Sequence, residues 1–136
     1  MGMFSVLETS IAGMDVQQAR LAVAASNLAN TSTTHRADGT AYVPLEVAIH
    51  SVLDPGTGLP RPQVGPTVES SAAPTLQYEP GDPAADSRGF VHRAGNDPVG
   101  AMLTLMEISR SYEANVRAFD VSRTLMSKTL ELWSAK

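Results

Sequence analysis

Apolar positions recur with helical spacing at both ends of the chain and lose that spacing in between. From Met3 to Asn30, Leu7, Ile11, Met14, Gln18, Leu21, Ala25 and Leu28 alternate in steps of four and three. Six of these seven are apolar, the stripe of a helix that packs at coiled-coil spacing. Ala12, Ala19, Ala22, Ala24 and Ala29 flank the stripe, and small flanks let other helices approach from more than one side. Asn30 and the run Thr31-Ser32-Thr33-Thr34 predict the helix end. Asparagine tolerates the left-handed C-terminal position, and hydroxyl side chains compete for backbone hydrogen bonds.

A second helix is predicted from Pro98 to Trp133. Asp97 is its N-cap, and Pro98 takes the first helical position, where a missing N–H costs nothing. Its stripe is Met102, Leu105, Ser109, Tyr112, Val116, Phe119, Arg123, Met126, Leu130 and Trp133, of which eight of ten are apolar or aromatic. Such a helix spans about 54 Å at 1.5 Å per residue. Isolated helices are weak in water, so it needs company along its whole length.

The middle reads differently. Eight of the nine prolines fall between Pro44 and Pro83. His35 to Thr40 is a loop turning at Asp38-Gly39. Val43 to Val52 alternates as a half-buried strand, with Val43, Leu45, Val47 and Ile49 on one side. Asp54 to Gly58 is a turn, and Val64 to Glu69 and Thr75 to Tyr78 are shorter strands bordered by proline. Glu79-Pro80-Gly81-Asp82-Pro83 is irregular, and Phe90 to His92 adds one more short strand. Proline confines strands to edges and starts, so a small irregular sheet is expected. The fold class is therefore α+β. Long N- and C-terminal helices pack as a coiled-coil-like helical domain, with a small β-rich domain inserted between them. The expected division is 1–34 for the N-terminal part of the helical domain, 35–95 for the middle domain and 96–136 for the C-terminal helix.

Composition narrows the function classes. The formal charge of −4 argues against a nucleic-acid partner, which demands a basic face. The absence of cysteine excludes a disulfide framework and thiolate metal sites. The sequence has no apolar run of about 18 residues, so no membrane insertion is expected. No Lys or Arg precedes Arg20, so a cleaved secretory signal is not expected. Val6 stands where a myristoylation motif after Met1-Gly2 has Ser or Thr.

Candidate chemistry is thin. His35, His50 and His92 share no metal-ligand spacing with one another or with a carboxylate pair. Asp82 and Asp86, near Arg88, read as turn residues, not as an acid–base pair. Gly56 and Gly58 do not open a phosphate-binding helix. Asn30-Thr31-Ser32 matches a glycosylation sequon but lacks the secretory context. No catalytic residue, cofactor or metal site is expected. Met102, Met106 and Met126 fit core filler better than a promiscuous groove. The stripes leave two readings open: the core of a monomeric helical hairpin, or that core together with an interface between chains. Apolar and small residues spread around the first helix favour the second.

Ala25-Ser26-Asn27-Leu28-Ala29-Asn30-Thr31-Ser32-Thr33-Thr34 resembles the signature of the rod, hook and filament-type axial proteins of the bacterial flagellum, with Asn27 and Asn30 as its two asparagines. His35-Arg36-Ala37-Asp38-Gly39 and Tyr42 look like the post-signature loop of the proximal-rod branch of that family. The run from Tyr78 to Val91 is similar to its proline–glycine segment. Ser109 to Val116 and Leu125 to Leu130 resemble its C-terminal helix. The resemblance covers nearly the whole chain in order.

The resemblance implies a structural subunit without enzyme activity or cofactor. Its terminal helices would self-assemble and co-assemble into a periplasm-spanning tube that transmits torque for motility. It implies export through the flagellar type III export apparatus without a cleaved signal. The partners implied are other copies of the chain and rod proteins of the FlgB, FlgF, FlgG and FliE types. Asn27 and Asn30 are expected to be structural at the helix end. Leu7, Ile11, Met14, Leu21, Leu28, Met102, Leu105, Tyr112, Val116, Phe119, Met126, Leu130 and Trp133 are expected to form the assembly interface. The alternative from another class is a soluble coiled-coil adaptor of an export apparatus. A hydrolase would need a small-molecule pocket that these residues do not build.

Overall fold

A computed structural model describes residues 3–95 and 97–134. The expectations that touch Met1, Gly2, Asn96, Ala135 and Lys136 lie outside the described residues. The chain runs α1 (Met3–Ala29), β1 (Leu45–Leu53), β2 (Pro60–Glu69), β3 (Thr75–Tyr78), β4 (Phe90–Arg93) and α2 (Pro98–Ser134). Two long helices thus enclose a small β region, an α+β arrangement. Asp97 caps α2 as its side chain accepts the Gly100 N–H at 3.0 Å, and Pro98 is the first helical residue.

The helices pack antiparallel. Ala24 and Asn27 of α1 share a cleft with Gly100 and Thr104 of α2. Gly13 lies against Asn115, so close that an added Cβ would stand 2.9 Å from the Asn115 amide nitrogen. Glycine here is what lets the two helices approach. Gly13 of α1 thus meets Asn115, and α2, with 37 residues against 27, is the longer helix.

The faces turned inward differ from the predicted stripes. On α2 the buried residue is Ile108, 2% exposed, with Ala101, Leu105, Asn115, Phe119, Ser122 and Met126 half-buried beside it. Polar Asn115 and Ser122 mask this seam in the sequence, and the apolar count favours a stripe rotated slightly around the helix. On α1 the inward side is built from Ser5, Ser10, Val16 and half-buried Gly13, Ala24 and Asn27. Small residues let the helices come close but bury little area. The buried apolar core among the described residues is Val16, Val91, Ala94 and Ile108.

That core is small for the chain. A compact monomer of 14.4 kDa exposes about 6,800 Å² of surface. This chain exposes 9254 Å². The excess is of the size that obligate interfaces remove, roughly 2,000 Å² or more.

The β region forms two separate antiparallel hairpins, β1–β2 and β3–β4, and not the single sheet expected. The prolines are the physical reason. In β2, Pro60 and Pro62 sit two apart and so share one edge, where their missing N–H groups deny pairing to a further strand. β2 is also longer than the predicted Val64–Glu69, because prolines on an outward edge do not interrupt pairing with β1. Gly65 and Pro66 face the single residue Ala48 in a bulge between the Val47–Thr67 and Ile49–Val64 pairs. The bulge ends the clean alternation of β1, and Ile49 is 46% exposed.

Three aspartates close the turns. Asp38 accepts from the Thr40 hydroxyl and N–H, Asp54 from the Thr57 and Gly56 N–H groups, and Asp86 from the Phe90 and Arg88 N–H groups. These bonds hold each carboxyl below its ordinary 3.8. Leading are the Thr40 hydroxyl for Asp38, the Thr57 N–H for Asp54 and the Phe90 N–H for Asp86. A carboxyl depressed by folding stabilises the fold above its unfolded value and loses that contribution as pH falls through its folded value. Amide exchange at Thr40, Thr57 and Phe90 is therefore expected to accelerate, relative to the helices, as pH drops below about 4. Unchanged relative protection down to about pH 2 would contradict these turns.

Candidate functional site

Asn27 stands at the junction of all three parts of the chain. Its Nδ2 donates to the Leu45 carbonyl at 2.7 Å, and its Oδ1 accepts the Leu45 N–H at 2.9 Å. One amide therefore pairs with both backbone groups of the first residue of β1. The sequence places Asn27 at a helix end with bonds to nearby backbone. The structure shows a partner 18 residues away, so Asn27 sets where the β region leaves the helix.

Asn30 ends α1 by a different route from the one predicted. Its Nδ2 donates to the Ser26 carbonyl at 2.8 Å, and its Oδ1 accepts from the Thr33 hydroxyl at 3.1 Å. Among the described residues, positive φ occurs only at Gly39, Gly58 and Gly89, so Asn30 does not take the left-handed position. The side chain caps the last turn where a left-handed backbone was expected. The loop that follows is a miniature hairpin: the Tyr42 N–H donates to the Thr34 carbonyl at 2.9 Å, and Gly39 turns the chain at φ +83.

Arg93, which sequence reasoning missed, ties the second hairpin to this loop. Its guanidinium pairs with Glu79 at 2.5 Å and Asp82 at 3.6 Å, and donates to the Ser32 carbonyl at 3.5 Å. Gly95 follows, and a Cβ there would stand 2.3 Å from the Ala73 carbonyl oxygen. A single arginine and a single glycine carry no local sequence signal. Their roles follow from strands that meet only in three dimensions.

The predicted interface residues divide by exposure. Leu7, Met14, Leu28, Leu105, Val116, Phe119 and Met126 are half-buried within the chain. Ile11, Leu21, Met102, Tyr112, Leu130 and Trp133 are exposed, Leu130 at 65% and Trp133 at 83%. Leu103, Met106, Val121, Leu125 and Leu132, which the predicted stripe omits, are exposed as well. The apolar surface of α2 therefore wraps much of the helix. Of the histidines, His35 bridges to Ala41 in the loop, His50 lies on β1 over Gly65, and His92 is on β4.

Comparison with known proteins follows the same layout. Residues 7–35 match the family described as flagella basal body rod protein, which takes in α1 and its signature. Residues 87–132 match the family described as flagellar basal body rod FlgEFG protein C-terminal, which takes in β4 and α2. The chain is 37% identical to the flagellar basal-body rod protein FlgC of Escherichia coli O6:H1 over 132 residues, 97% of this chain and 98% of that one. It is 36% identical to FlgC of Salmonella typhimurium over 132 residues, with the same coverage. It is 33% identical to FlgC of Aquifex aeolicus over 136 residues, 98% of each chain.

Proposed function

Because the chain belongs to the FlgC family of flagellar basal-body rod proteins, we propose that its terminal helices build the proximal rod and carry torque across the periplasm. The chain is a structural rod subunit of the flagellar basal body. It assembles with other flagellar rod proteins. In the finer reading, residues 1–34 and 96–136 form a coiled-coil-like rod core, and 35–95 form a separate middle domain. FlgB-, FlgF-, FlgG- and FliE-type proteins and further copies of the chain are its neighbours. It is exported through the type III apparatus without a cleaved signal, and it has no catalytic role.

The observation that carries this reading is the mismatch, among the described residues, between four buried core hydrophobic side chains and twenty-two exposed large ones. Surface of that kind marks an interface. Dense apolar packing between subunits resists deformation, which is what a torque-bearing tube requires. Repeated heterologous contacts generate such a tube.

Amide exchange tests the reading against the adaptor alternative. Ordering costs about 1–2 kcal/mol per residue, and the lone chain has little core to offset it. In purified monomer, residues before Asn30 and after Pro98 are expected to exchange fast. In isolated basal bodies the same amides are expected to be protected. An adaptor would show strong protection of both ends in a verified monomer, and that result would remove the rod-core assignment of the helices.

A further inference from the structure

We propose that the outer edge of β1 is a strand-addition site that receives the β3 edge of a neighbouring copy of this chain. The proposal rests on the rod-subunit reading, which places copies side by side. In an antiparallel pair, backbone groups alternate between facing the partner and facing away. Pro60 and Pro62 have no N–H, and they pair with Leu53 and Ser51. Those are therefore the pairs whose groups face away. At the other end the Ser70 N–H donates to the Pro44 carbonyl at 2.7 Å, so the groups of the next residue, Leu45, face away. Both ends give one parity. Leu45, Val47, Ile49, Ser51 and Leu53 turn N–H and C=O outward, and the bulge leaves this run unbroken because its extra residue lies on β2.

Asn27 already uses this edge. Its amide gives one hydrogen bond to Leu45 and takes one from it, as an added strand would. Next to it Leu45, Val47 and Ile49 line a cleft with Val23 and Ala24 of α1, and exposure rises toward the turn, from 46% at Ile49 to 67% at Leu53. The opposite edge of the ribbon is blunted by Pro60 and Pro62, so addition is one-sided.

The occupant follows by elimination among the edges of the four strands. β2 has no donor at Pro60 or Pro62, and the extra residue of the bulge interrupts the rest of its outward row between Val64 and Thr67. β4 is half-buried, with Val91 fully so. Pairing of β1 with β1 has two-fold symmetry and closes as a dimer, whereas a rod extends by heterologous contacts. β3 remains, and all four of its residues are exposed. The Glu79 N–H donates inward to Gly89 at 2.9 Å, which turns the backbone groups of Leu76 and Tyr78 outward. Their two-residue spacing matches that of Ile49 and Ser51.

The chain has no native cysteine, so introduced thiols report cleanly. Double variants Ser51→Cys with Leu76→Cys, and Ser51→Cys with Tyr78→Cys, cover the alternative registers. In mildly oxidised basal bodies one of them is expected to give a ladder of multimers on a non-reducing gel. Ser51→Cys alone is expected to stay monomeric. A dimer from that single variant, a crosslink to a different rod protein, or basal bodies that contain the chain without any crosslink would overturn the proposal. Absence of the chain from basal bodies would instead defeat the rod reading beneath it. Ser51→Pro supplies a second readout, because it removes an outward N–H and leaves the β1–β2 ladder intact. It is expected to lower the number of completed rods at least tenfold at unchanged protein level and β content. Normal rod numbers with Ser51→Pro would also overturn it.

Discussion

Leu130→Asp combined with Trp133→Asp is expected to yield a protein that is made, soluble and exported, in cells that lack a continuous rod and hook. Leu130 is 65% exposed and Trp133 83% exposed in the single chain. Surface changes of this kind usually move folding stability by less than about 0.5 kcal/mol, so the monomer tolerates them. Assembly does not. Burying each such side chain between subunits contributes about 1.5–3 kcal/mol. A buried, unpaired carboxylate reverses that gain and adds a desolvation cost of several kcal/mol. Two substitutions at the tip of α2 therefore exceed what a repeated subunit contact can absorb. The position of the tip sharpens the test, because α2 has 37 residues and α1 has 27, and the excess extends beyond the α1 partner. Electron microscopy of basal bodies and swarm assays read the outcome. Rods of normal length that turn would show that these two residues are not buried between subunits.

The helices were legible because period and punctuation agree. Asp97-Pro98 marks the start of α2, and Asn30 with the hydroxyl run marks the end of α1, each within a residue of the observed limit. The inward face was not legible. Ile108 is buried while its neighbour Ser109 belongs to the predicted stripe, because a seam that includes Asn115 and Ser122 scores poorly on hydrophobicity alone. Gly13 and Asn115 meet only when the helices do. In the β region Thr75–Tyr78 was read at its observed limits. The number of sheets was not, since prolines report which edge is closed and not which strands are kept apart. Of the site, Asn27 and Asn30 were legible as a pair through their motif. The partner of Asn27 was not, because the Leu45 backbone carries no side-chain signature.

That partner makes Asn27→Leu the substitution with the largest expected effect on the chain itself. Leucine matches the volume but neither donates nor accepts. The Leu45 N–H and C=O would stay part-buried without their amide, at about 1–3 kcal/mol for each group. The loss falls on the link between helix and β region, so the start of β1 should loosen from α1 while α1 itself remains helical and Glu8, Ile11 and Asp15 keep their place beside Val52 and Val64. Export by the proposed type III route should continue, and assembly and swimming should fail. Asn27→Asp separates hydrogen bonding from shape. An ionised aspartate accepts from the Leu45 N–H but repels the Leu45 carbonyl, while a protonated one can donate to it. The folded site thus favours the protonated form and raises the aspartate above its unfolded value of about 3.9. A group raised in this way stabilises fully below the unfolded value and loses its contribution as pH rises through the folded one. The Leu45 amide of the Asn27→Asp variant should therefore be better protected in mild acid than at neutral pH, where only the bond from the N–H remains against the carbonyl's repulsion, opposite in direction to the turns of Asp38, Asp54 and Asp86. If Asn27→Leu cells swim normally and the Leu45 amide keeps its wild-type protection, the clamp does not hold the two parts together.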